Sequence, residues 1–153
     1  MDGTYPYCSI ERSLGIVGER WTFLILREAL FNGVSRFAEF QSALGIAPNV
    51  LTARLTTIVD AGVLEKREYK EDGARARSSY HPTAAGDQLK VVLAALQQWG
   101  DEFVPREGGP TILRRTTDGA RPVRVGFVDD AERPRAVEDV QFVRSEAYGR
   151  VSP

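Results

Sequence analysis

The chain contains one cysteine, Cys8, and one histidine, His81. A single cysteine excludes a disulfide within the chain. A zinc site built from cysteine and histidine takes about four ligands, so that too is excluded. A Ser-His-Asp or Cys-His arrangement could use only His81, which removes most hydrolase chemistries. No GxGxxG or GxxxxGK[ST] run is present, and with it goes any visible cradle for a nucleotide cofactor. The longest apolar runs are "FLIL" (Phe23–Leu26) and "VVLAAL" (Val91–Leu96). A membrane-spanning helix needs roughly 20 apolar residues, so none is expected. The start, "MDGTYPYCSIERSL", has no basic stretch leading into an apolar core and does not read as a secretory signal. The expectation is a cytoplasmic protein that is not an enzyme and carries no metal or other cofactor. Internal repeats and low-complexity segments are also lacking.

What is present is the composition of a soluble globular protein, 42% hydrophobic and 27% charged. A length of 153 residues suits one domain, or a small domain with an extension. The net charge of −1 and a pI near 5.9 argue mildly against nucleic acid. For DNA, however, the local distribution of charge decides.

Along the chain, Ile10, Leu14 and Val17 mark a short helix over 9–17, ended by glycines. "RWTFLILREAL" (20–30) is apolar almost all round and belongs at the centre of the core. Ser35 is the expected N-cap of the next helix, "RFAEFQSAL", which stacks Phe37, Phe40 and Leu44 and stops at Gly45. After a three-residue turn, Pro48 opens another helix whose buried stripe is Leu51, Leu55, Ile58 and Val59. "VLEKREY" (63–69) and "RSSYHPT" (77–83) read as two strands joined by an Asp-Gly turn. Thr83 caps a long helix over 84–103, along which Leu89, Val92, Leu93, Leu96, Trp99 and Phe103 recur at three- and four-residue steps. "PREGGP" (105–110) is a linker. Beyond it, "TILRRT", "PVRVGFV" and "DVQFVRS" read as short strands of a meander or hairpin, against the alternative of an irregular tail.

The fold class is therefore α+β, mainly α: a winged helix-turn-helix with a long C-terminal helix (1–104) and a small β-rich extension (105–153). The outer face of the helix opened by Pro48 carries Asn49, Ala53, Thr56 and Thr57, flanked by Thr52. A helix that enters a major groove about 12 Å wide must be slim and free of excess negative charge there. Asn can pair with adenine, and Thr and Ala can meet thymine methyls or polar base edges. Pro48, Asn49, Thr52, Ala53, Arg54 and Thr56 are the candidate DNA contacts on this helix. Arg54, at the edge of the buried stripe, either meets phosphate or pairs within the subunit. From Lys66 to Arg77 five basic residues (Lys66, Arg67, Lys70, Arg75, Arg77) outnumber three acidic ones (Glu68, Glu71, Asp72). Lys70, Arg75 and Arg77 are the candidate wing contacts to phosphate or minor groove. The rival reading is a winged helix that has become a ligand-binding or protein-interaction module without DNA binding.

The segments "CSIERSLGIVGERWTFLILREAL", "RFAEFQSALGIAPNVLTARL", "DAGVLEKREY" and "YHPTAAGDQL" together resemble the HxlR-type bacterial transcription regulators, over about Tyr7 to Phe103. The resemblance implies a homodimer that binds double-stranded DNA at an inverted-repeat operator, as repressor or activator. It implies a subunit interface formed by the first and long C-terminal helices, hence Ile10, Leu14, Leu89, Val92, Leu93, Leu96, Trp99 and Phe103. Several family members place a cysteine that senses oxidants or electrophiles where Cys8 stands; packing is the plainer role for it. Two departures are visible. Family members commonly have Ser, as N-cap, at the position of Ala47. The minimal family domain also lacks the tail beyond Pro105; similar proteins carry such tails, some with cysteines suggestive of metal, and this chain has none there.

Overall fold

A computed structural model describes residues 8–70, 73 and 75–146. The chain divides into two compact units, one within Met1–Lys90 and the other Val91–Ala147. Among the described residues no helix is long and apolar enough to cross a membrane.

The first unit holds α1 (Ser9–Val17), α2 (Arg20–Phe31), α3 (Phe37–Leu44), α4 (Pro48–Asp60) and an antiparallel hairpin of β1 (Leu64–Tyr69) and β2 (Arg77–Pro82). α2 packs against α1, α3, α4 and β2. Ile25 and Leu26 of α2, Phe40 of α3, Leu51, Leu55 and Ile58 of α4, and Leu64 of β1 are all fully buried. Each such side chain contributes about 1.5–3 kcal/mol by leaving water, so this layer fixes the angle at which α4 is held. Gly45, at φ 60°, ends α3 in the left-handed region that glycine enters without penalty.

Glu28, which the apolar reading of α2 passed over, is buried beneath the turn that follows. Its carboxylate accepts from Arg27 Nε at 2.9 Å and Asn32 Nδ2 at 2.7 Å. Its backbone oxygen accepts from Asn32 and Val34.

Ser35 is not the cap of α3. The N-cap is Arg36, and Glu39 reaches back so that its carboxylate accepts the N–H groups of Arg36 at 3.0 Å and Ser35 at 3.3 Å. Those two backbone donors hold the Glu39 carboxyl below its ordinary pKa. Ser35 and Arg36 are drawn instead to the wing. The Ser35 carbonyl accepts from Tyr80 N–H at 2.8 Å, and Arg36 forms an isolated antiparallel bridge with Ser79. The hairpin thus gains a third, one-residue neighbour.

α5 spans Ala84–Phe103. Thr83 caps it as expected, its Oγ1 accepting Gly86 N–H at 3.1 Å and donating to the Gly62 carbonyl at 2.7 Å.

In the second unit, two short hairpins follow Pro110. The first is pinned by Val123 N–H to Arg114 O and Thr116 N–H to Arg121 O, both 2.9 Å. Its turn is held by the Asp118 carboxylate, which accepts from Ala120 N–H and the Thr116 hydroxyl. The second pairs β3 (Phe127–Val128) with β4 (Pro134–Arg135). Here the Asp129 carboxylate accepts from the Arg133 side chain, the backbone N–H groups of Arg133 and Ala131, and the Arg135 side chain. These donors, Arg133 foremost, pull its pKa down to about 2.

The third expected strand, "DVQFVRS", does not form. A single 3-10 turn, Val137–Asp139, opens that stretch and the rest is irregular. No partner strand is presented to it among the described residues, and a lone strand cannot satisfy its own backbone groups.

The chain on either side of the first hairpin is tied to the second half of α5 by glutamines. Gln97 Nε2 donates to Ile112 O at 2.6 Å. Gln98 forms a two-point pair with Val125, donating to its carbonyl and accepting its N–H, each at 3.0 Å.

Candidate nucleic-acid interface

α4 enters with an unusual first turn. Its N-cap, Ala47 (φ −62°, ψ 139°), makes no side-chain cap, and Pro48 has no N–H to offer. Asn49 does not compensate: among the described residues its side chain has no hydrogen-bond partner. The outer face is Asn49, Thr52, Ala53 and Thr56, all exposed, with Thr57 and Arg54 half-buried beside it. Arg54 pairs with no carboxylate among the described residues.

The threonines are not idle on this face. Thr52 Oγ1 donates to Pro48 O at 2.9 Å, Thr56 Oγ1 to Thr52 O at 2.9 Å, and Thr57 Oγ1 to Ala53 O at 3.1 Å. Such back-bonding fixes each hydroxyl hydrogen onto the helix. What Thr52 and Thr56 turn outward is a methyl group and an oxygen with acceptor capacity left. Nothing on that face carries a negative charge.

On the wing, Lys70, Arg75 and Arg77 are exposed. None of the three has an ion-pair partner among the described residues. Glu71 and Asp72 lie outside the described residues. Arg67 is engaged differently: its guanidinium bonds to the Glu65 carboxylate on the same strand face. His81 hydrogen-bonds Ser79 Oγ at 2.9 Å within the second wing strand.

Arg36 was missed in the sequence because it reads as the first residue of a helix. The bridge to Ser79 places it beside the wing, with its guanidinium 4.7 Å over the Tyr69 ring. It lines a cleft of about 630 Å³ with Tyr69, Arg77, Ser78 and Tyr80.

The residues expected at a subunit interface divide in two. Ile10 and Leu14 on α1, and Val92, Leu96, Trp99 and Phe103 on α5, stand exposed, the last three at 54%, 56% and 63%. Trp99 and Phe103 stack their rings 5.7 Å apart. Leu89 is half-buried, and Leu93, only 7% exposed, is already covered within the chain and has little left to offer a partner. Cys8 is half-buried at the N-cap of α1, where its carbonyl accepts Arg12 N–H at 3.0 Å.

Three helices around a central α2, a short turn from α3 to α4, and a hairpin after α4 define a winged helix-turn-helix protein. A profile described as HxlR-like helix-turn-helix matches residues 16–108, and the chain belongs to that family. It is 46% identical over 112 residues to the uncharacterized helix-turn-helix-type transcriptional regulator Rv3095 of Mycobacterium tuberculosis, covering 72% of this chain and 69% of the relative. It is similar in structure to PA1607, described as a candidate transcription factor, with a TM-score of 0.78, 32% identity and coverage of 92% and 96% of the two chains. Diamide-treated YodB from B. subtilis matches with a TM-score of 0.51 and 27% identity, over 65% of this chain and 97% of that one.

Proposed function

We propose that this helix-turn-helix transcriptional regulator acts in the cytoplasm as a homodimer, with residues 1–104 binding an inverted-repeat operator and 105–153 an extension of that domain. The observation that carries this reading is the outer face of α4, exposed, uncharged and furnished with an amide, methyl groups and hydroxyl oxygens. α4 lies in the major groove, its first turn at the base edges. Asn49 supplies the bidentate contact. Thr52 and Thr56, with their hydrogens already committed, act toward bases as acceptors, which suits the amino groups of adenine and cytosine. Lys70, Arg75 and Arg77 meet phosphates or the adjacent minor groove, and Arg36 is added to them. Two-fold symmetry sets the half-sites about one helical turn apart.

Arg75→Ala with Arg77→Ala tests the wing. For each phosphate no longer neutralised, the slope of log K against log salt becomes shallower by about 0.9. The double variant is expected to be shallower by about one to two in slope and to bind every sequence more weakly alike. Asn49→Ala, by contrast, relaxes preference at one base position. A double variant with parental affinity and slope would show that the wing does not touch DNA.

A second reading concerns control. Cys8 is half-buried and sits at the start of α1, a helix whose exposed Ile10 and Leu14 belong to the proposed dimer face. Oxidation or alkylation there would tilt the two α4 helices relative to one another, and the half-site spacing tolerates little tilt. Cys8→Ser is expected to bind DNA as the parent does under reducing conditions and to be indifferent to diamide. Parental binding that is equally indifferent makes Cys8 a packing residue.

A further inference from the structure

Asn49, Thr52, Ala53 and Thr56 form one exposed row along α4. At 1.5 Å of rise per residue the row is about 10 Å long, the length of about three base-pair steps. What it lacks is selective. Guanine is read by arginine or lysine donating to O6 and N7, and the cytosine amino group by aspartate or glutamate. No such side chain stands between Asn49 and Thr56 on this row. The one arginine of α4, Arg54, is half-buried, and the helical period turns it about 150° from the centre of the row. The one carboxylate, Asp60, is the last residue of the helix, a full turn beyond Thr56.

The hydroxyls of Thr52 and Thr56 donate to Pro48 O and Thr52 O, both at 2.9 Å, and so meet a base only as acceptors. An acceptor serves the amino groups of adenine and cytosine alike. The methyl groups break that tie. With each Oγ1 turned back onto the helix, Cγ2 of Thr52 and Thr56 is left on the outer side, beside the methyl of Ala53. Of the four bases only thymine carries a methyl in the major groove. Methyl against methyl removes apolar surface from water on both sides and leaves no hydrogen-bonding group unpaired.

We propose that α4 reads thymine methyl groups. Each half-site holds a run of about three A·T pairs, met by Asn49 at an adenine and by Thr52, Ala53 and Thr56 at thymine methyls. Those three small residues set specificity, and cytosine is rejected because it offers them no methyl. This preference rests on α4 being the helix that enters the groove, as proposed above.

The test begins with selection by the full chain from duplexes with a random core, which should return half-sites with A·T at consecutive steps. The selected duplex is then made with deoxyuridine for thymine in the half-sites, a change that deletes only the C5 methyl. One buried methyl is worth about fourfold in affinity, and the two half-sites each lose at least one. Binding followed by fluorescence anisotropy is expected to weaken by at least about tenfold. Deoxyuridine placed outside the half-sites should change nothing. Thr52→Ser with Thr56→Ser keeps both hydroxyls and removes both methyls from exposed positions, so the variant stays folded. Its preference for thymine over deoxyuridine is expected to fall by at least about threefold. Specific binding to half-sites of G·C pairs, indifference to deoxyuridine, or a parental preference in the serine variant overturns the proposal while DNA binding itself stands. Selection that enriches no sequence removes the DNA-binding reading and this one with it.

Discussion

Leu96→Asp is expected to yield a folded monomer with little affinity for the operator. Within one chain Leu96 is 54% exposed, so a carboxylate there remains hydrated and the single chain tolerates it. In the proposed two-fold interface every residue appears twice, so one substitution buries two like charges. Each unpaired ion taken from water costs several kcal/mol. A dimer Kd rises tenfold for each loss of about 1.4 kcal/mol, hence about a hundredfold or more here. A monomer would present one α4 helix to the proposed operator of two half-sites, so DNA binding should fall with assembly. Light scattering at micromolar concentration reads the mass, a circular-dichroism melt reads the fold, and a mobility shift reads the DNA. A parental protein that is itself monomeric, or an Asp variant that stays dimeric and active, would remove α5 from the interface.

Gly86→Ala is expected to unfold the first unit more readily than any surface change would. Gly86 lies in the first turn of α5, and a Cβ placed there would stand 2.1 Å from the Val63 carbonyl oxygen. That oxygen cannot retreat freely, since it accepts the Thr83 N–H at 3.1 Å where β2 leads into α5. The clash is with backbone, and no rotamer change relieves it. Forced overpacking costs about 1–3 kcal/mol, occasionally more, and the upper end applies here. At roughly 2–4 °C per kcal/mol for a chain of this size, the melting temperature should fall by about 6–12 °C. A melt within about 2 °C of the parent would mean that the entry to α5 yields easily.

The order of elements in the first unit was legible because each helix states its buried side by period. Leu51, Leu55 and Ile58 are buried in α4 and the polar residues between them are not. Asn49, Thr52, Ala53 and Thr56 could be placed outward by the same rule. What periodicity does not carry is pairing across distance. Nothing near Ser35 announces that Tyr80 will take its carbonyl, so Ser35 read as a cap and Arg36 as ordinary helix surface. Glu28 was hidden by the apolar residues around it. In the tail, "DVQFVRS" has the composition of a strand, but a strand needs an edge to join and none is offered among the described residues. Gln97 and Gln98 drew no reading from the sequence; they serve as donors and, for Gln98, acceptor for a backbone that arrives later in the chain.

The thirteen residues of α4 keep two sets of side chains apart. Leu51, Leu55 and Ile58 hold the helix in place and face away from the solvent. Asn49, Thr52, Ala53 and Thr56 bear on nothing in the core. If that outer set reads DNA as proposed, a duplicated gene could exchange it a residue at a time, each copy remaining folded while its target sequence drifts. Stability imposes almost no purifying constraint on those four positions, so under the proposed role in DNA reading selection on them would come from the operator. Descendants of one ancestral regulator can diverge in the genes they control while their hydrophobic layer stays nearly unchanged.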